Sequence, residues 1–408
     1  MPVILGVRPS DGREGAAVYG TSPRIGERAP RSLRSAGLLA ALVLAACGTP
    51  APLDPGVRVE FVEPHMGTEF RIVMWAPDAE RAGLAARAAF ARIAALDATL
   101  SDWQPASEAS RLCRAPRATP IAVSEDLFAV LSRSLELAAL TDGAFDPTVG
   151  PCVVLWRRAV RERELPTPAR LARARDSVGT RLVELDRERR TVTLHADGMR
   201  LDFGAIGEGH AADAALRVLA EHGIARALVD AGGDVAVGDA PPGEDGWLVA
   251  LQHAAADESA PQAIRVARCG VCTSGDLFRF VEIEGRRFSH VIDPRTGLGV
   301  TTRGAATVVA SDAATADALA TAACVLEPTA ALAAVARIEG ASVYLTRQLD
   351  ERAIEAVSPT FPERRTRPER APSALRFGAW KAAFASWYRV ASDARGSSRP
   401  VASHSLRP

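Results

Sequence analysis

Residues 201–238 read LDFGAIGEGHAADAALRVLAEHGIARALVDAGGDVAVG. Leu201–Phe203 has the apolar character of a short strand. Gly207–Gly223 carries Ala211, Ala215, Val218 and Leu219 at the spacing of one helix face. Strand-like segments follow at Arg226–Asp230 and Val235–Gly238, with Gly232-Gly233-Asp234 as the turn between them. A helix that delivers the chain into a hairpin belongs to an α+β architecture, not to a doubly wound parallel sheet. Gly204-Ala205-Ile206-Gly207-Glu208-Gly209 places glycines near a helix start, where phosphate can be held. Their spacing departs from G-x-G-x-x-G, which removes the case for a Rossmann domain.

The same mixture extends outward. Val57–Phe61 and Glu69–Trp75 read as strands on either side of Met66-Gly67-Thr68. Asp78–Leu100 is an amphipathic helix through Ala85, Ala89, Ile93, Leu96 and Leu100. Ser124 is placed to cap a helix over Glu125–Leu140 that Asp142-Gly143 stops. Pro166–Arg175 reads as a short helix and Arg181–Ala196 as a hairpin. Trp247–Gln252, Phe278–Ile283 and Arg287–Ile292 are further strands. Helices follow from Ser311 to about Leu326 and over Thr329–Glu339. The expected fold is therefore α+β, with mixed, largely antiparallel sheets flanked by helices.

The 408 residues hold 49 Lys+Arg and 49 Asp+Glu, so overall charge directs the chain toward neither nucleic acid nor an acidic surface. Residues 362–408 depart from that balance, with ten basic side chains against three acidic ones. This basic tail is expected to be disordered. Near the other end, residues 31–50 read RSLRSAGLLAALVLAACGTP. Arg31 and Arg34 flank an apolar run, Gly37–Ala46, too short for a bilayer span, and small residues lead into Cys47. That pattern resembles a lipobox with Cys47 as the lipidated residue. The organisation is then 1–46 extension and signal peptide, 47–56 tether, 57–361 catalytic domain and 362–408 tail, with the mature protein anchored to a membrane and facing the periplasm.

Several side chains suit chemistry. Asp317 and Thr321 stand four apart in a helix and project from one face, as oxygen ligands of a hard cation such as Mg²⁺ would. Taken alone such a pair is more often a solvated face or a local cap. His290 and Asp293 lie in His290-Val291-Ile292-Asp293-Pro294-Arg295, where a strand gives way to a turn, and a histidine there suits a general base. Thr273-Ser274-Gly275-Asp276 is small enough for backbone N–H groups to cradle an anion. Cys269 and Cys272 form a lone C-x-x-C without the second pair a zinc ribbon needs, and read better as small buried hydrophobes.

The order of these blocks is more telling than any one of them. Met66-Gly67-Thr68, Ser101-Asp102-Trp103, Gly143-Ala144-Phe145-Asp146-Pro147, Leu201–Gly209, Gly232-Gly233-Asp234, Thr273–Asp276, Ser289–Gly297 and Ala316–Thr321 together resemble the ApbE family of FAD:protein FMN transferases over about residues 60–345. The resemblance implies an active site in a central cleft and FAD as substrate. It also implies transfer of FMN to a Thr or Ser of an acceptor protein through a phosphoester bond, with release of AMP. Carried over by position, Asp317, Thr321 and the main-chain carbonyl of Ala205 are metal ligands. Met66, Trp103, Ala144, Phe145, Asp146, Asp202, Glu208, Ser274 and Ile292 are FAD contacts, and His290 with Asp293 activates the hydroxyl. Two other functions compete: an FAD pyrophosphatase giving free FMN and AMP, which only product analysis separates from transfer, and a non-catalytic FAD-binding lipoprotein, which would need neither metal nor base.

Overall fold

Eight strands of the computed structural model run in chain order across one sheet. They are β1 (Val57–His65), β2 (Thr68–Ala76), β3 (Ala227–Ala231), β4 (Asp234–Val237), β5 (Cys269–Gly275), β6 (Arg303–Ala310), β7 (Ser342–Leu349) and β8 (Arg352–Val357). Every neighbouring pair is antiparallel. The structure describes residues 56–251, 262–276, 279–349 and 352–366. Cys47, the tether from 48 to 55 and the tail from 367 lie outside the described residues.

The meander is interrupted by long excursions, and these carry the helices. Between β2 and β3 come α1 (Ala79–Leu100), α2 (Glu125–Leu140), α3 (Gly150–Glu162) and α4 (Gly207–Glu221). Between β6 and β7 come α5 (Ala313–Val325) and α6 (Pro328–Val335). Alternation along the strands sorts side chains to the two sheet faces. Phe70, Ile72 and Met74 join the helical side, with Ala306, Val308, Val343 and Leu345. Val73, Leu228, Val271, Val309 and Tyr344 point the other way, against a three-stranded sheet that contributes Trp247, Val249, Ile264 and Val266. Two apolar cores thus sandwich one sheet. No helix among the described residues is long and apolar enough to cross a membrane.

Local chemistry fixes the helix starts. Asp78 accepts from the Arg81 N–H at 2.8 Å, Ser124 from Leu127 at 3.2 Å, and Asp312 from Thr315 at 2.7 Å. The tight β3–β4 turn uses Gly232 and Gly233 at φ of 64° and 113°, as two-residue hairpins demand. Differences from the sequence reading are local. Leu201–Phe203 is not a strand; the chain makes one parallel bridge, Arg200 to Val149, and then turns into α4. β6, β7 and β8, with α3, were not anticipated. Arg365 and Thr366 pair with Ala263 and Gln262, so ordered structure continues past residue 361.

α5 is the most enclosed helix. All of its residues except Thr321 are buried, as expected of an alanine-rich helix apolar on nearly every side. Its approach to β5 depends on Gly270, where an added Cβ would stand 2.3 Å from the Ala313 backbone. Gly270→Ala should therefore destabilise the fold by about 1–3 kcal/mol. Urea unfolding should show this as a lower midpoint with an unchanged slope; wild-type stability would refute the packing account.

Candidate functional site

Asp317 sits in mid-α5 with 3 % of its surface exposed, and its Oδ2 has no hydrogen-bond partner. Burial raises its pKa well above the ordinary carboxylate range. The charges of Asp234 and Glu208 push the same way, and a backbone hydrogen bond from Gly209 opposes them. Glu208, in the first turn of α4, is likewise raised by burial and by Asp234, against the pull of Arg279. Burial also raises Asp234, which begins β4; the neighbouring Cys272 thiol pulls the other way. Three carboxyl groups from α4, β4 and α5 thus share one region.

An uncompensated buried charge costs several kcal/mol even after relaxation. Asp317, the most enclosed of the three, must hold a proton or meet a cation; Glu208 and Asp234 are half-buried and are pressed the same way. The residues suit a hard cation. Asp317 offers a free oxygen, and Thr321 a hydroxyl already 2.9 Å from Ser274 Oγ on β5. Ala205 lies in the turn that enters α4, the helix whose Gly209 meets Asp317. Among the described residues no three His, Cys, Asp or Glu groups converge closely enough to chelate a metal by themselves. A cation held here by Asp317, Thr321 and the Ala205 carbonyl would have one carboxylate plus neutral oxygens, with the charges of Glu208 and Asp234 acting on Asp317.

The residues expected to contact the flavin lie on several elements. Met66 is at the tip of the β1–β2 hairpin with φ of 51°, its N–H donating to Asp97 Oδ2 at 3.2 Å. Its Cε comes within 4.0 Å of where a Gly207 Cβ would stand. Trp103 is 47 % exposed, a broad ring open to a planar ligand. Beside it, Asp102 pairs with Arg157 of α3 at 2.5 Å, and Arg157 reaches Asp202 at 3.6 Å. Burial and the charge of Asp102 raise the pKa of Asp202. Ala144 and Phe145 are buried in the helical-side core, so any ligand contact they make is through the backbone. Asp146 accepts from the N–H and hydroxyl of Thr148 at 2.8 and 2.6 Å, which makes it an organiser of its own turn. Ile292 packs at the margin of a small cluster formed by Trp156, Val281, Ile283 and Phe288.

His290 follows the hairpin Phe280–Ile283/Arg286–Ser289. Its Nδ1 lies 3.2 Å from the Arg279 carbonyl, which can only accept, so Nδ1 carries the proton and Nε2 keeps its lone pair. Surrounding protein and the charge of Arg279 hold the imidazole pKa below its ordinary value. Solvent reaches the residue, which tempers the first effect and leaves the second, so the ring is neutral at pH 7. Asp293 has another task. It accepts from Arg295 Nε and Nη2 at 2.8 and 3.0 Å and from the Arg295 N–H at 2.9 Å. No hydrogen bond or ion pair joins it to His290, and its geometry is that of a turn former.

Of the segment expected to cradle an anion, residues 273–275 belong to β5 and pair in register with Ala305–Thr307 of β6 on one side, while β4 pairs only with Cys269–Val271 on the other. Asp276 is a latch, accepting from Gly304 N–H at 2.8 Å and Arg287 Nε at 2.9 Å. Cys272 is buried and unoxidised, in keeping with a packing role. Sequence reasoning passed over Asp234 as a turn residue and gave no role to Asp213 or Arg279. Their contacts come from long-range packing, and only the glycine turn beside Asp234 hinted at one of them.

Comparison with known proteins follows this geometry. The ApbE family model matches residues 66–345. The FAD:protein FMN transferase of Klebsiella pneumoniae is 32% identical over 340 residues, spanning 80% of this chain and 96% of that protein. The enzyme of the same name from Salmonella typhimurium is 32% identical over 336 residues, with 80% and 96% covered. Among solved structures, the flavin transferase ApbE from Vibrio cholerae superposes with a TM-score of 0.68 at 26% identity, covering 75% of this chain and 99% of that one.

The buried carboxyls set a pH dependence. A native pKa above the unfolded value means the native state binds more protons, so stability falls as pH rises toward that pKa. Glu208 is raised to about 8 and Asp213 to about 7. His210, lowered to about 4, acts oppositely, but only below the ordinary histidine pKa of about 6.5. In EDTA the melting temperature should therefore fall between pH 7 and 8.5, and millimolar Mg²⁺ should flatten that slope. A melting temperature that rises with pH in EDTA would contradict the shared-charge account.

Proposed function

The chain belongs to the ApbE family, and we propose on that premise that it transfers the FMN half of FAD to a Thr or Ser hydroxyl of an acceptor protein, with Mg²⁺ as cofactor and AMP as the second product. The observation that carries the metal requirement is the buried Asp317 oxygen with no partner, beside two more carboxyls that desolvation and mutual repulsion keep from ionising together. Asp317, Thr321 and the Ala205 carbonyl would hold the ion. When bound, it supplies positive charge that offsets the FAD diphosphate and the departing phosphate.

The rest of the chemistry belongs to the chain. His290 Nε2 accepts the proton of the acceptor hydroxyl. The hydroxyl oxygen bonds to the FMN-side phosphorus, and the bond from that phosphorus to the bridging oxygen breaks. AMP departs with the bridging oxygen, and His290 later returns the proton to solvent. Trp103 stacks on a flat ring of FAD. Met66, Asp202, Glu208, Ser274, Ile292 and the 144–146 backbone complete the FAD site. The basic flank, apolar run and Ala45-Ala46-Cys47 junction support lipidation at Cys47 and a periplasm-facing membrane anchor.

Protein from residue 47 onward, given FAD, Mg²⁺ and a Thr-bearing peptide, should yield a fluorescent covalent adduct by gel and mass spectrometry. Asp317→Ala should abolish it. His290→Gln should lower kcat by about 100–10,000-fold while FAD still binds. Free FMN and AMP without adduct would mean hydrolysis, not transfer. Independently, Cys47→Ser should release the full chain from the membrane fraction of an expressing bacterium; unchanged membrane association would remove the lipid anchor.

A further inference from the structure

Asp213 lies on α4, one turn beyond Gly209, and both face the start of α5. Its Oδ1 accepts from the Ala313 N–H and its Oδ2 from the Ala314 N–H, each at 2.9 Å. These are first-turn amides of α5, which have no partner within the helix. The contact is bidentate and part-buried, and it spans 100 residues of sequence. Asp312 already caps the same helix in the ordinary way, through Thr315. The helix start is thus held twice, once by its own flank and once by a different helix.

The surroundings make this a register device. At Gly209 an added Cβ would stand 2.4 Å from the Ala313 carbonyl oxygen, and at Gly270 it would stand 2.3 Å from the Ala313 backbone. Cys272 Sγ donates to the same Ala313 carbonyl at 3.3 Å. Ala313 is therefore gripped from α4 and β5 together. Asp317 is one turn further along α5 and Thr321 two turns, so the axial position of Ala313 fixes both.

We propose that Asp213 is a positioning residue for the cation site: it clamps the first turn of α5 to α4, so that Asp317 and Thr321 stand at a fixed height against the α4 entry turn that carries Ala205. The inference rests on the metal reading given above. Asp213 touches neither ion nor FAD and acts through the helix it holds. Groups that orient metal ligands are worth about 10–100-fold in affinity when removed.

The test titrates Mg²⁺ into full-length protein and reads melting temperature, with FAD binding in EDTA measured separately by quenching of flavin fluorescence. Asp213→Asn turns an NH₂ toward two N–H donors and should raise the Mg²⁺ midpoint about 10–100-fold, while FAD affinity in EDTA stays within about twofold of wild type. At saturating Mg²⁺ kcat should largely recover, a split that general loss of structure would not give. Asp213→Glu keeps charge and acceptors but adds a methylene that displaces the helix start. It should shift the midpoint too, and it carries the test if Asp213→Asn does not fold. A wild-type midpoint in a folded variant would overturn the proposal. Asp317→Ala, run alongside, separates the two claims: if it retains the wild-type Mg²⁺ response, the metal reading itself fails, whatever Asp213 does.

Discussion

One negative charge, buried on a helix that has almost no other polar side chain, constrains much of this molecule. α5 is packed so closely on β5 and α4 that glycine is required where they meet. Desolvation at that depth would keep a lone carboxyl protonated. The fold does not relieve the problem with an arginine at Asp317. It adds Glu208 and Asp234 from neighbouring elements, and the counter-charge that acts on those two, Arg279, stands outside α5. Such an arrangement is stabilised by a cation or by protons, and by little else.

The meander explains how so much chemistry meets there. Because strands follow one another in order, every long excursion leaves the sheet and returns beside its starting strand. α4 arrives just before β3, α5 departs just after β6, and the hairpin leading to His290 is inserted between β5 and β6. Asp276, at the exit of β5, holds Arg287 of that hairpin and the Gly304 N–H of β6. The C-terminal end of β5 thus touches both α5 and the hairpin that leads to His290. Ser274 ties the sheet to Thr321, and Asp276, two residues on, ties it to Arg287 of that hairpin.

Legibility in the sequence followed the range of the forces. Helices with local caps and clean periodicity were readable nearly to the residue, as Ser124 with Glu125–Leu140 shows. The amphipathic α1 was equally clear. β6 and β7 were not, because strands buried on both faces lose the alternation that identifies them; Ala305–Ala310 is buried throughout. At the site, Asp317 and Thr321 stood out because four-residue spacing is a property of one helix. Asp293 misled, since an Asp-Pro turn beside a histidine looks like an acid–base pair until Arg295 is seen to occupy the carboxylate. Asp213 was invisible for the opposite reason. Its partners lie 100 and 101 residues away, and nothing in a helical Ala-Ala-Asp-Ala-Ala announces a long-range cap.

The charge balance also bears on order of binding. Counting ligands from sequence leaves Asp317 as the only formal negative charge on the metal, which would make FAD phosphate an indispensable partner for the ion. The structure adds Glu208 and Asp234 within electrostatic reach of Asp317. Ionised, they would attract a cation and repel the FAD diphosphate. On the proposed metal reading, an ion bound before FAD would avoid placing uncompensated anions together. In the absence of the ion the same carboxyls retain protons and weaken that repulsion, so acidity and divalent metal act on one set of groups through one electrostatic term.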